Sequence, residues 1–148
     1  MFYICKNLIQ GVTKNISLHI PNNNELASLD SDFIKDWYAA NAQQNFHLQK
    51  LTSIIVKAFN INDIFDNYIK SSPCILDIDV EGLDYEILKS LNINNYNVHA
   101  IIIELSSPIK GKEYTSEVIN YLLQKGYILY SRTSVNHIFV KKTLLINK

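Results

Sequence analysis

The sequence predicts an α/β fold of Rossmann-like type, a mostly parallel sheet closed by an antiparallel hairpin at its C-terminal end. Three observations carry this expectation. From Thr52 onward, apolar strand-like runs alternate with stretches whose apolar residues recur at helical spacing. Those helical stretches are long enough to act as right-handed crossovers between parallel strands. The link from Ser131 to Asn136 is only six residues, which suits an antiparallel last pair.

In chain order, Phe2 to Cys5 and Ile16 to Ile20 read as short strands separated by a polar stretch with Gly11, and a hairpin is the simplest account. Pro21 with Asn22, Asn23 and Asn24 ends the second strand. Asp30 and Ser31 are N-cap residues for a helix carrying Phe33, Ile34, Trp37 and Tyr38. That pattern fades before Phe46, so residues 30–50 read as a short helix or a mobile insertion in a single domain spanning 1–148. Ile54, Ile55, Val56, Ala58 and Phe59 form the next strand, and Ile61, Ile64, Phe65, Tyr68 and Ile69 fall on one helical stripe ended by Pro73.

Cys74 to Ile78 is a strand, Leu83, Ile87, Leu88 and Leu91 mark a helix, and Ala100 to Ile103 is a near-continuous apolar strand. A helix over Tyr114 to Lys125 turns Val118, Ile119, Leu122 and Leu123 inward, with Gly126 where a left-handed residue follows a helix. Tyr127 to Tyr130 and His137 to Lys141 close the sheet.

Composition narrows the partners. The chain of 148 residues has 14 basic and 14 acidic side chains, and Arg132 is its single arginine, so no basic stripe marks a nucleic-acid or anionic-membrane partner. A small or neutral partner is expected. Cys5 and Cys74 lie far apart, outside any disulfide framework or zinc spacing, and both are expected to be thiols. Neither a signal peptide nor a run of about 18 apolar residues is present, which points to a cytoplasmic protein.

In an open parallel sheet, ligands bind beyond the carboxyl ends of the strands. Three acids fall there: Asp79 after the Cys74 strand, Glu81 in the turn with Gly82, and Glu104 at the end of the next strand. Asp77 lies one pleat back and is expected to be less accessible. Gathered acids suit a metal ion, hydrogen bonds from substrate hydroxyls, or proton removal. The competing reading makes Asp79 and Glu81 capping residues of the helix near Leu83, and Glu104 a solvated strand end. The segment Leu105-Ser106-Ser107-Pro108 adds the hydroxyls of its two serines at the same edge. His19, His47, His99 and His137 share no ligand spacing and read as surface or strand residues, as Arg132 reads as a turn residue. Trp37 and Tyr38 stand between pocket lining and core, with core favoured by their spacing.

The run Ile75-Leu76-Asp77-Ile78-Asp79-Val80-Glu81-Gly82-Leu83-Asp84, followed by Glu86-Ile87-Leu88-Lys89, resembles the Asp-Val-Glu-Gly motif of FkbM-type methyltransferases. Ala100 to Glu104 is similar to the family's next strand, and Leu122 to Val140, with Gly126-Tyr127, Asn136 and Ile138-Phe139-Val140, to its closing helix and hairpin. Ile16 to Leu29 and Ala58 to Tyr68 match more loosely. The resemblance implies S-adenosylmethionine as cofactor and O-methylation of a hydroxyl on a sugar or related small molecule. It places Asp79, Glu81 and Glu104 as catalytic candidates, with no cofactor-binding residue and no metal ligand assigned.

One departure matters. The family's opening strand, glycine-rich turn and ribose-holding acid have no counterpart, because Gly11, Gly82, Gly111 and Gly126 are too scattered for a GxG turn. The expected chain is therefore the C-terminal part of the fold without its N-terminal half. Its central strands would carry an exposed edge that invites a second copy or a complementing chain. The competing functional expectation is a non-catalytic binding or self-association module that keeps the acidic edge.

Overall fold

A computed structural model describes residues 3–4, 13–22, 26–105 and 111–146. Cys5, Gly11, Asn23, Asn24, Ser106, Ser107 and Pro108 lie outside the described residues. The chain forms two compact units, Met1–Asp63 with Val80–Ser90, and Ile64–Asp79 with Leu91–Lys148.

The first unit is organised by its longest strand. β1 (Tyr3–Ile4) and β2 (Lys14–Pro21) both pair with β3 (Leu51–Phe59), in the order β1-β3-β2. β1 runs parallel to β3, and β2 antiparallel to it in an unbroken register from Lys14↔Ala58 to Pro21↔Leu51. The expected β1–β2 hairpin is thus replaced. β3 is rich in β-branched residues and matches the full length of β2, so it takes the central position that short-range reasoning gives to a turn.

Between β2 and β3 lies α1 (Ser31–Ala40), begun by Asp30, whose carboxylate accepts from the N–H groups of Asp32 and Phe33. Ile34 and Tyr38 are buried with Leu26, and Phe33, Trp37, Leu48 and Leu51 pack against them. The Trp37 ring meets Tyr38 and Phe46 edge-on, both at 5.4 Å between centroids. Tyr38 belongs to this core and Trp37 packs against it, while Phe46 is exposed.

α2 (Ile61–Ile64) starts at Asn60, whose side-chain oxygen accepts from the Asn62 N–H at 2.8 Å. The chain then widens into a π-helical turn over Phe65–Ile69. Widening changes the angular step per residue, and Tyr68, placed on the inward stripe by a 3.6-residue period, is 71% exposed.

The second unit contains a four-stranded sheet in the order β4-β5-β7-β6, from β4 (Cys74–Ile78), β5 (Val98–Glu104), β6 (Tyr127–Arg132) and β7 (Asn136–Lys141). Only β4–β5 is parallel, and both ladders of β7 are antiparallel. The expected mostly parallel sheet is therefore corrected to a mixed one. The reversal is local: the turn after Arg132 is too short for a crossover, so β7 folds back and inserts between β5 and β6. Thr133 stabilises that turn by accepting from Val135 and Asn136 N–H groups at 3.3 and 2.9 Å. The architecture is mixed α/β with two sheets.

Ile101, Ile103 and Phe139 are fully buried on one face of this sheet, each contributing about 1.5–3 kcal/mol by leaving water. The alternate residues Ala100 and Ile102 are only half-buried. α3 (Asp84–Ser90) belongs to the first unit, while α4 (Gly111–Gln124) belongs to the second and buries Val118 and Leu122. Gly126 has φ 85°, the left-handed conformation its position predicts. The last described helix is α5 (Thr143–Ile146). No helix of the described residues is long and apolar enough to cross a membrane.

Candidate functional site

The parallel pair β4–β5 positions two of the three predicted acids. The register aligns Ile78 with Ile103, so Asp79, the next residue, stands beside Glu104 at the carboxyl ends of both strands. A carboxylate oxygen of each lies within 4.8 Å of the other. Asp79 is exposed and Glu104 half-buried, above the buried pair Ile78 and Ile103. Asp77 is also exposed, contrary to expectation, because β4 is the edge strand of its sheet and its side chains meet solvent. Arg132 is exposed at the same end, as the last residue of β6.

His137 lies across the ladder from Ile103, so strand alternation turns its side chain to the opposite face from Glu104. It is 6% exposed, and its Nδ1 has no hydrogen-bond partner within bonding geometry among the described residues. Burial, then the charge of Arg132, hold its pKa below the ordinary 6.5, against a smaller opposing effect of the Val135 backbone. Its position is structural, apart from the acidic pair.

Glu81 sits in the first unit, in the turn that leads to α3. Its φ is +48° and that of Gly82 is +110°, so two successive residues hold left-handed backbone. Asp84 organises the turn: its Oδ1 accepts from Val80 N–H at 3.1 Å and its Oδ2 from Gly82 N–H at 3.3 Å. Ser28, 1% exposed, donates its hydroxyl to the Glu81 carbonyl at 2.6 Å and accepts from Asp30 N–H at 3.1 Å. Gly82 also admits a neighbour, since a Cβ built there would lie 2.8 Å from ring carbons of Phe33.

Sequence reasoning missed Ser28, Asp84 and Phe33. Asp84 carried a local signal, an acid two residues after the turn glycine. Ser28 carried none, because its partner Glu81 is 53 residues away.

Residues 5–129 match a family described as the methyltransferase FkbM domain. The match ends inside β6, short of Asn136 and the Ile138-Phe139-Val140 segment. No curated protein and no solved structure matches the chain. With its Asp-Val-Glu-Gly turn and most of its length inside the match, the chain belongs to the FkbM methyltransferase domain family.

Proposed function

We propose that this protein acts in O-methylation of a hydroxyl on a sugar or related small molecule, with S-adenosylmethionine as methyl donor. The observation that carries the reading is the juxtaposition of Asp79 and Glu104 at the ends of two parallel strands, in a chain of this family. That is where Rossmann-like sheets receive their ligands.

The donor set suits such a cofactor in charge. Two adjacent carboxylates favour a cationic ligand over a phosphate-bearing one, and S-adenosylmethionine carries a sulfonium and an ammonium group. Gly82 contributes no cofactor approach, because the Phe33 ring occupies the space beside it. When bound, the cofactor supplies an electrophilic methyl group. Asp79 and Glu81 are assigned to orient the acceptor hydroxyl and take its proton, a role worth about 10²–10⁴ in rate. Glu104 supports them by maintaining the negative potential that would hold the cofactor.

Isothermal calorimetry of the full chain with S-adenosylmethionine tests this. Saturable binding is expected, weakened at least about tenfold in Asp79→Asn and Glu104→Gln. Glu81→Gln is expected to retain binding and lose methyl transfer. Absence of heat with any adenosyl ligand would overturn the reading.

A second reading, self-association without catalysis, is favoured by one observation. Edge strand β4 presents Ile75 at 68% exposure. Antiparallel pairing of two β4 strands about Leu76 would oppose Asp77 to Ile75 and keep the two Asp77 carboxylates from facing each other. Light scattering separates the readings: a dimer abolished by Ile75→Lys, with no adenosyl binding, supports the second.

A further inference from the structure

In the first unit, β2 is an outer strand of the order β1-β3-β2, and its register with β3 is unbroken from Lys14 to Pro21. At His19 the free side of β2 is already taken. The His19 N–H donates to the Ser28 carbonyl at 2.8 Å, and the His19 carbonyl accepts from the Ser28 N–H at 3.0 Å, in an antiparallel bridge. That bridge fixes a direction. In an antiparallel strand the backbone groups of every second residue face the same side, so Asn15 and Ser17 also turn N–H and C=O away from β3, while Ile16 and Leu18 turn theirs towards it. Among the described residues, no backbone group pairs with Asn15 or Ser17 on that outer side.

After Ser28 the chain bends away and begins α1 at Ser31. The lane it vacates beside β2 is a cavity of about 530 Å³, walled by Asn15, Ile16 and Ser17 and by Leu29, Asp30 and Leu83. All of these residues belong to the first unit. Asn15 and Ser17 present two donor–acceptor pairs about 7 Å apart, the repeat of an extended backbone. Another strand satisfies both pairs at once, and a compact small molecule does not.

We infer that this lane receives an extended segment of another polypeptide, which adds to β2 as an antiparallel strand and continues the ladder that Ser28 begins. Its side-chain pattern follows from the pleat. The residue opposite Ile16 shares the face of Ile16 and is apolar, matching the apolar surface of Ile16, Leu29 and Leu83. The residues opposite Asn15 and Ser17 lie on the other face and are polar. With Leu29, Asp30 and Leu83 closing the lane there is room for a single strand, whereas β2 of a second copy would bring its β3 with it. The segment also enters beside Ser28, whose hydroxyl holds the Glu81 carbonyl, so the docking lane adjoins the brace of the motif turn. Neither cofactor nor methyl transfer is needed for this binding.

Amide-resolved NMR and hydrogen exchange of the full chain, titrated with the peptide acetyl-Thr-Val-Thr-Thr-amide, test it. In the free protein the Asn15 and Ser17 amides should exchange fast and those of Ile16 and Leu18 slowly. The peptide is expected to shift the Asn15 and Ser17 amides and slow their exchange. N-methylation of its first and third residues, whose N–H groups face β2, should weaken binding at least about tenfold, while N-methylation of the valine, which faces away, should leave it unchanged. Ser17→Pro removes an outward donor that the β3 ladder does not use, and should weaken binding to a similar extent. Absence of shifts at Asn15 and Ser17, or equal effects of the two methylations, would overturn the assignment. Slow exchange of these two amides in the free chain that disappears on dilution would also overturn it, by giving the edge to a second copy.

Discussion

The Ser28 hydroxyl donates a 2.6 Å hydrogen bond to the Glu81 carbonyl across 53 residues of chain. The same oxygen accepts from Asp30 N–H, so one buried side chain joins the start of α1 to the motif turn. Ser28→Ala leaves a carbonyl and an N–H without this partner. It should cost about 1–3 kcal/mol, lowering the melting temperature by several degrees in thermal denaturation. An unchanged melting temperature would show that the bond contributes nothing net.

Gly82→Ala should be more damaging, because two effects coincide. Its φ of +110° disfavours any side chain, and the new Cβ would meet the Phe33 ring at 2.8 Å. A loss of about 2 kcal/mol or more is expected in chemical denaturation. Adding Phe33→Ala should relieve the contact but not the backbone strain, so Gly82→Ala should cost less in that background than in the native one. Equal costs in both backgrounds would locate the whole penalty in the backbone.

His137 gives the fold an acid-sensitive point. Its folded pKa lies below the ordinary 6.5, so the folded state favours neutral imidazole. Above that ordinary value both states are neutral and nothing is at stake. As pH falls below it, the unfolded chain takes up a proton that the folded chain resists, and stability declines. Stability measured by urea melts from about pH 7 to about pH 5 should fall less steeply in His137→Gln than in the native protein. Parallel profiles would remove His137 as the cause.

Tyr127 acts at the opposite extreme. Its buried hydroxyl donates to the Val98 carbonyl at 2.8 Å, and burial, with a smaller contribution from Cys74, pushes its pKa from 10.0 up to about 12. The protonated form is favoured in the folded state. Its stabilisation is fully present below pH 10 and is lost as pH rises towards about 12. Tyr127→Phe should cost about 1 kcal/mol near neutrality and flatten the alkaline part of the stability profile. An unaltered alkaline slope in that variant would contradict the assignment.

What could be read from the sequence was what depends on neighbours in the chain. The strand ending at Glu104, the helix before Gly126 and the cap at Asp30 were all legible, because periodicity, turn chemistry and capping are short-range. The adjacency of Asp79 and Glu104 also followed from two strand ends and one parallel pairing. Longer-range choices were hidden. Nothing local marks β3 as the centre of the first sheet, since two strands compete for it only once the chain is folded. The position of β7 between β5 and β6 likewise depends on which edge the returning strand meets first. Tyr68 was misplaced because a π turn leaves no signature in residue type, and Ser28 was invisible because an ordinary serine acquires its role from a carbonyl far along the chain.

The chain leaves the four-stranded sheet after Asp79, contributes residues 80–90 to the other unit, and returns at Leu91. During synthesis the amino-terminal unit therefore cannot close when its first 63 residues have emerged from the ribosome. It must wait until position 90 is exposed, by which point β4 is already outside without β5. A gene fragment stopped at residue 63 should yield an aggregation-prone polypeptide, and the boundary between the units offers no single place to cut the protein into two self-sufficient pieces.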